Sequence, residues 1–203
     1  NGGDYATYLC RVFHDDVEFQ GVARGWAIEE VQHGEALGRW ATLADPKFDY
    51  KASFGRFTAG YQIPLDVKES VRGSRSGELV ARCIVETGTS TYYTALMEAT
   101  DEPVLKEICR RIAADEFRHY KMFYEHLKRY LDSEQLGSWG RLRIAFKRLI
   151  ESEDDELAYA YYAANHFGET YERRRFSKEH ARGAYRVYRR HHVERGISMV
   201  LKA

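Results

Sequence analysis

Glu29-Glu30-Val31-Gln32-His33 and Asp115-Glu116-Phe117-Arg118-His119 are two copies of one pattern, an acid followed by Glu-x-x-His, set 86 residues apart. A glutamate and a histidine three residues apart project from one face of a helix. Two such pairs on facing helices, completed by a glutamate from each of two further helices, build a di-metal carboxylate centre inside a bundle. Glu86 lies 30 residues before Glu116. At a rise of about 1.5 Å per residue, an up-and-back helical hairpin of that span returns both carboxylates to one height. Glu30, His33, Glu86, Glu116 and His119 are therefore the candidate metal ligands.

The residue types suit two iron ions. Cations about 4 Å apart need carboxylates between them to offset charge and hold the separation. Imidazole tolerates both ferrous and ferric states, and oxygen-rich donor sets favour iron or manganese over zinc or copper. An Fe/Fe and an Mn/Fe centre would share these donors. The acid before each glutamate also has an expected task, because a ligating histidine usually donates its other N–H to a carboxylate. Asp115 is expected to meet His33, and Glu29 to meet His119, across the bundle. Trp26, one turn before Glu30, is expected to pack under the site, and Arg118 belongs with these supporting residues.

The elements that carry these groups read as helices throughout. Asp4 to about Phe13 reads as the end of a first helix. Asp15 or Asp16 can cap a second that runs to about Ala44, with Val22, Trp26, Ile28, Glu30, His33, Leu37 and Trp40 at three/four spacing. A shorter helix is expected over 47–62, a loop over 65–77, and a long helix from about Glu78 to Ala99. Asp101 before Pro103 reads as the start of the next, ending near Asp132. Further helices are expected near 139–164 and 178–202. The repeat extends beyond the motifs, since Tyr5-x-Thr7-x-Leu9 matches Tyr92-x-Thr94-x-Leu96 at an offset of 87. The expected fold class is all-α, a ferritin-like four-helix bundle over 1–137 with additional C-terminal helices over 138–203 packed on the same domain. A six-ligand centre also needs a glutamate on the first helix. The repeat puts it just upstream of Asn1, so the chain is expected to be incomplete at its N-terminus.

Composition sets the outer bounds. The chain has 203 residues with 44% apolar content, enough for one buried core, and three prolines, which suits long helices. No run of 18 apolar residues is present, so no transmembrane segment is expected. Net charge is zero. Cys10, Cys83 and Cys109 show no Cys-x-x-Cys spacing, which excludes an attached rubredoxin-type iron site and suggests free thiols in a reducing, cytoplasmic setting.

The words around the motifs go further. Trp26 to Glu35, with its acid pair and His33-Gly34, resembles a metal helix of soluble acyl-acyl-carrier-protein desaturases. Ile112 to His119 is similar to that family's second metal helix, and Glu86-x-x-Thr89 looks like its third-helix glutamate with the threonine beside the oxygen pocket. The resemblance covers about Gly25 to Leu131. It implies a di-iron oxidoreductase that uses O2 and two external electrons to remove hydrogen from an unactivated carbon of an acyl substrate. It assigns Glu30, His33, Glu86, Glu116 and His119 as ligands and gives Thr89 a catalytic role in handling a proton. The partners it implies are O2, an acyl carrier protein and an electron donor, with a homodimer as the assembly and no nucleic acid. Gln32 stands where the family usually has arginine. A rubrerythrin-like or ferritin-like peroxidase or ferrous oxidase would use the same ligands without an organic substrate. A non-catalytic ferritin-like interaction subunit is the reading from another class.

Three remaining features read as structural. Residues 173–195 hold nine Lys or Arg against two Glu, the composition of a solvated face or of a docking surface for an acidic partner. His191 and His192 do not share one helical face with Glu194, and read as surface. Tyr92 and Tyr93 lie within two turns of Glu86, a place from which to line a channel or carry a radical, but aromatic residues at helical spacing are more often core, and they read as core together with Tyr159, Tyr161 and Tyr162.

Overall fold

The computed structural model describes residues 2–150 and 155–203. The helices are α1 (Gly2–Val12), α2 (Val17–Ala44), α3 (Tyr50–Gly60), α4 (Arg75–Ala99), α5 (Pro103–Glu134), α6 (Ser138–Ile150), α7 (Asp155–Asn165), α8 (Arg173–Tyr185) and α9 (Arg190–Val200). Among the described residues there is no strand, only an isolated bridge between Phe167 and Glu169. The protein is an all-α, ferritin-like bundle, as the periodicity predicts.

Side-chain caps define the long helices. The Asp16 carboxylate accepts from the Phe19 N–H at 2.9 Å at the start of α2, and Ser74 Oγ accepts from the Gly77 N–H at 3.0 Å at the start of α4. Each satisfies an N–H that a helix's first turn leaves without an intrahelical partner. The cap of α5 is Glu102, not Asp101. Its carboxylate accepts from the N–H groups of Val104 and Leu105 at 3.0 and 2.6 Å, with Pro103 in the first helical position. The α4 start also moves three residues upstream of the expected Glu78, because Ser74 supplies the cap.

α1 and α2 form one hairpin and α4 and α5 a second, and the two meet along α2 and α5. Leu9, Phe13, Phe19 and Trp26 of the first hairpin join Leu79, Cys83, Phe123 and Leu127 of the second in one buried core. Phe19 lies 6.3 Å from Phe123 and Trp26 meets Phe123 edge-on at 5.6 Å, centroid to centroid. α6 and α9 lie against α4, while α7 packs on α3 and α8.

The C-terminal part departs from the sequence reading. The helix expected near 139–164 corresponds to α6 and α7, and residues 151–154 between them lie outside the described residues. The single helix expected near 178–202 is two helices, α8 and α9, separated at 186–189. At this break Tyr188 stacks on Tyr92 with centroids 6.4 Å apart, and α9 turns onto α4. His192 is 1% exposed, which corrects its reading as a surface residue, and its partner is Glu98 rather than Glu194. Glu194 instead pairs with Arg190 at 2.6 Å.

Candidate metal centre

Each Glu-x-x-His motif occupies one face of its helix, and the two faces meet between α2 and α5, with Glu86 arriving from α4. One ligand atom from each of Glu30, Glu86, Glu116 and His119 falls within 4.8 Å of the others. His119 Nδ1 lies 3.3 Å from Glu30 Oε1, 3.5 Å from Glu86 Oε2 and 3.5 Å from Glu116 Oε2. His33 enters from the other side, its Nδ1 3.5 Å from Glu116 Oε1, and the two imidazole centroids are 5.9 Å apart. Glu116 thus stands between both imidazoles.

The outer edge of each imidazole is held by the opposite helix. His33 Nε2 lies 3.1 Å from Asp115 Oδ2, and His119 Nε2 lies 2.8 Å from Glu29 Oε2. Arg118 joins these two carboxylates, donating from Nη1 to Asp115 and from Nη2 to Glu29, each at 2.6 Å. With each Nε2 held outward, each Nδ1 is turned inward, where a cation would replace its proton. Thr89 Oγ donates to Glu116 Oε2 at 3.0 Å and reaches the carbonyls of Glu86 and Val85 at 3.1 and 3.2 Å. Trp26 is buried against Phe123, one turn before Glu30.

The electrostatics describe a place built for positive charge. Burial by itself would lower the His119 pKa, but Glu116, Glu30 and Glu86 override it and push it up to about 12. His33 follows the same pattern, with burial opposed and outweighed by Glu116 and Asp115. Burial pushes the Glu86 carboxyl well up, with the neighbouring Glu116 and Glu30 adding to the rise. Burial also opposes ionisation of Glu116, yet the neighbouring His119 and His33 imidazoles, each with Nδ1 at 3.5 Å, hold it well below the usual carboxylate range.

Four buried atoms around this space have no hydrogen-bond partner: Glu30 Oε1, His33 Nδ1, Glu86 Oε2 and His119 Nδ1. Buried polar atoms are normally paired, so four unpaired donor atoms facing one space call for a cation. Oxygen and imidazole donors in this proportion fit iron or manganese. The acid expected upstream of Asn1 lies outside the described residues. Gly2, in the first turn of α1, packs at the same height, where an added Cβ would stand 2.9 Å from Glu30 Cβ.

One charged group near the centre escaped the sequence reading. Arg82, one turn before Glu86, is held by Glu78 at 3.1 Å and lies over the Tyr5 ring at 4.7 Å. Glu78 in turn accepts from Tyr8 and Ser70 at 2.9 and 2.7 Å. Its position four residues before Glu86 was the available signal. A shallow surface depression of about 540 Å³ lies along α1 and α2, lined by Ala6, Cys10, Ala27 and Ile28 together with Arg11 and Arg24, and none of the converging glutamates or histidines lines it. Ala27 is one turn before Glu30.

A ferritin-like bundle with glutamates and histidines converging between its helices defines the class of protein. The sequence model of the fatty acid desaturase family matches residues 12–138, and the chain belongs to that family. Searches against curated proteins and against solved structures return no match. Among the described residues no helix is long and apolar enough to cross a membrane.

Proposed function

We propose that this protein is an O2-dependent di-iron oxidoreductase of the acyl-acyl-carrier-protein desaturase type, removing hydrogen from an unactivated carbon of an acyl substrate. The observation that carries this reading is the set of four unpaired buried donor atoms on Glu30, His33, Glu86 and His119. Glu30, His33, Glu86, Glu116 and His119 would hold the metals, and family membership supports the acyl substrate.

A di-iron pair bound there would supply two-electron activation of O2 with electrons from an external donor. The chain's own residues do the rest. Asp115 and Glu29 fix the tautomers of His33 and His119, and Arg118 keeps those two carboxylates in place. Glu116, held ionised, accepts a hydrogen bond from Thr89, whose hydroxyl can take or return a proton at the edge of the site. Glu86, with its raised pKa, can bind a proton between Glu30 and Glu116 until a cation replaces it.

The test is the metal content of the full chain produced with iron supplied. The expected result is about two irons per chain, as a two-metal carboxylate site requires. Less than one metal per chain, or a content unchanged in Glu86→Ala and Glu116→Ala, would overturn the reading.

A further inference from the structure

Four tyrosines run with their rings in sequence from the helical face of α4 that carries Glu86 and Thr89 to the surface. Tyr93 is seven residues after Glu86 and four after Thr89 on α4, so it continues the helical face that carries both. Tyr93 is half-buried and lies about 10 Å along the helix axis from Glu86, at a rise of about 1.5 Å per residue. The Tyr93 ring meets Tyr92 at 5.5 Å, Tyr92 stacks on Tyr188 at 6.4 Å, and Tyr188 meets Tyr185 edge-on at 5.9 Å, centroid to centroid. Tyr185 is 65% exposed. The break between α8 and α9 is what sets Tyr188 into this series, and Thr91 Oγ lies 3.5 Å from the Tyr188 hydroxyl.

We propose that Tyr93, Tyr92, Tyr188 and Tyr185 form an electron relay that discharges the oxidised metal centre to solvent when no substrate is in place. The relay rests on the di-iron reading above. Phenol rings are the side chains, with indole and thiol, that a strongly oxidising metal centre can draw an electron from. Ring-to-ring contact keeps each transfer short. The balance closes at the surface. Each electron would pass inward along the rings to metals held by Glu30, His33, Glu86, Glu116 and His119, and two such passages would return the two electrons that O2 takes from a di-iron pair, the O2 leaving as hydrogen peroxide with two protons from solvent. Tyr185 is left oxidised and gives its phenolic proton to water, which leaves a neutral tyrosyl radical. A soluble thiol or ascorbate-class reductant then donates a hydrogen atom and restores the phenol.

Packing alone would also place tyrosines together, so the test must separate conduction from packing. Aminotyrosine, more easily oxidised than tyrosine, is introduced at position 185 as a trap in the full, iron-loaded chain. The reduced protein is exposed to O2 without substrate and frozen for electron paramagnetic resonance, with iron content and O2 uptake measured on the same sample. The expected result is an aminotyrosyl radical that disappears in Tyr188→Phe, a change that keeps the ring packing but removes the oxidisable phenol. Iron bound and O2 consumed with no trap radical, or with a radical that survives Tyr188→Phe, would overturn the relay and leave the di-iron reading intact. Less than one iron per chain would overturn the di-iron reading and the relay with it. Unfolding of Tyr188→Phe is checked by circular dichroism, and Tyr92→Phe makes the same break at the preceding ring.

Discussion

His119 of α5 is tied to Glu29 of α2 through Nε2 at 2.8 Å, so the residue before one motif's glutamate orients the histidine of the other. Asp115 and His33 repeat the arrangement in the opposite direction at 3.1 Å. The two motifs are thus interlocked, each supplying the outer carboxylate that the other needs. Glu29→Ala is expected to weaken metal binding by about 10- to 100-fold, the usual effect of removing a carboxylate behind a ligating imidazole. Competition against a chromophoric chelator measures it. An unchanged affinity would count against Glu29 as the group that orients His119.

Thr89→Val keeps the shape of the side chain and removes the donor to Glu116. Metal content should stay at the wild-type level. Proton handling by a positioned group is commonly worth about 10²- to 10⁴-fold, so O2-dependent turnover should slow toward the lower end of that range. Single-turnover oxidation of the reduced protein gives the rate, and wild-type kinetics in the variant would remove Thr89 from the chemistry.

Gly38 sits in α2 where an added Cβ would fall 2.5 Å from the Tyr50 ring. Alanine would gain about 1 kcal/mol of helix propensity. Overpacking costs typically about 1–3 kcal/mol, and the neighbour is an aromatic ring rather than a flexible chain end. Gly38→Ala is therefore expected to lose stability overall, read as a lower urea midpoint. A raised midpoint would mean that Tyr50 swings aside freely.

Glu134, the last residue of α5, accepts from the backbone N–H groups of Arg75 and Ser76 at 3.0 and 2.7 Å and so closes the start of α4. Burial opposes its ionisation, but hydrogen bonds from Ser76 and the N–H of Arg75 outweigh that and lower its pKa. A depressed carboxylate stabilises the fold above its unfolded pKa of about 4.3, and the contribution is lost as pH falls through the lower folded value. Glu134→Gln should cost about 0.5 kcal/mol at neutral pH, discounted for solvent exposure, and the gap should close in acid. Urea midpoints at neutral and acid pH test this, and a gap that widened in acid would reverse the assignment.

The centre was legible because its information is local. Glu30 with His33, and Glu116 with His119, need only helical periodicity to share a face, and Glu86 follows from equal arms of one hairpin. The outer pairs with Asp115 and Glu29 follow from the chemistry of metal-bound imidazole. The C-terminal third was not legible in this way. No proline or glycine marks 186–189, and the α8–α9 break accompanies Tyr188 seated on Tyr92 and His192 buried beside Glu98. Those contacts join residues far apart in the chain, and local spacing carries no trace of them. Helix starts moved for a smaller reason, since Ser74 caps α4 upstream of the expected start and Glu102 rather than Asp101 caps α5, both through side-chain geometry.

The α4–α5 hairpin brings Glu86, Glu116 and His119 together through neighbours close in sequence, whereas Glu30 and His33 come from the other hairpin. A cation shared among them is then a clasp between two halves that could otherwise part along α2 and α5. Loading and folding become one equilibrium, and the melting temperature should climb with free metal concentration as mass action requires. Depletion of the metal would be felt first as a loosening of the bundle along α2 and α5.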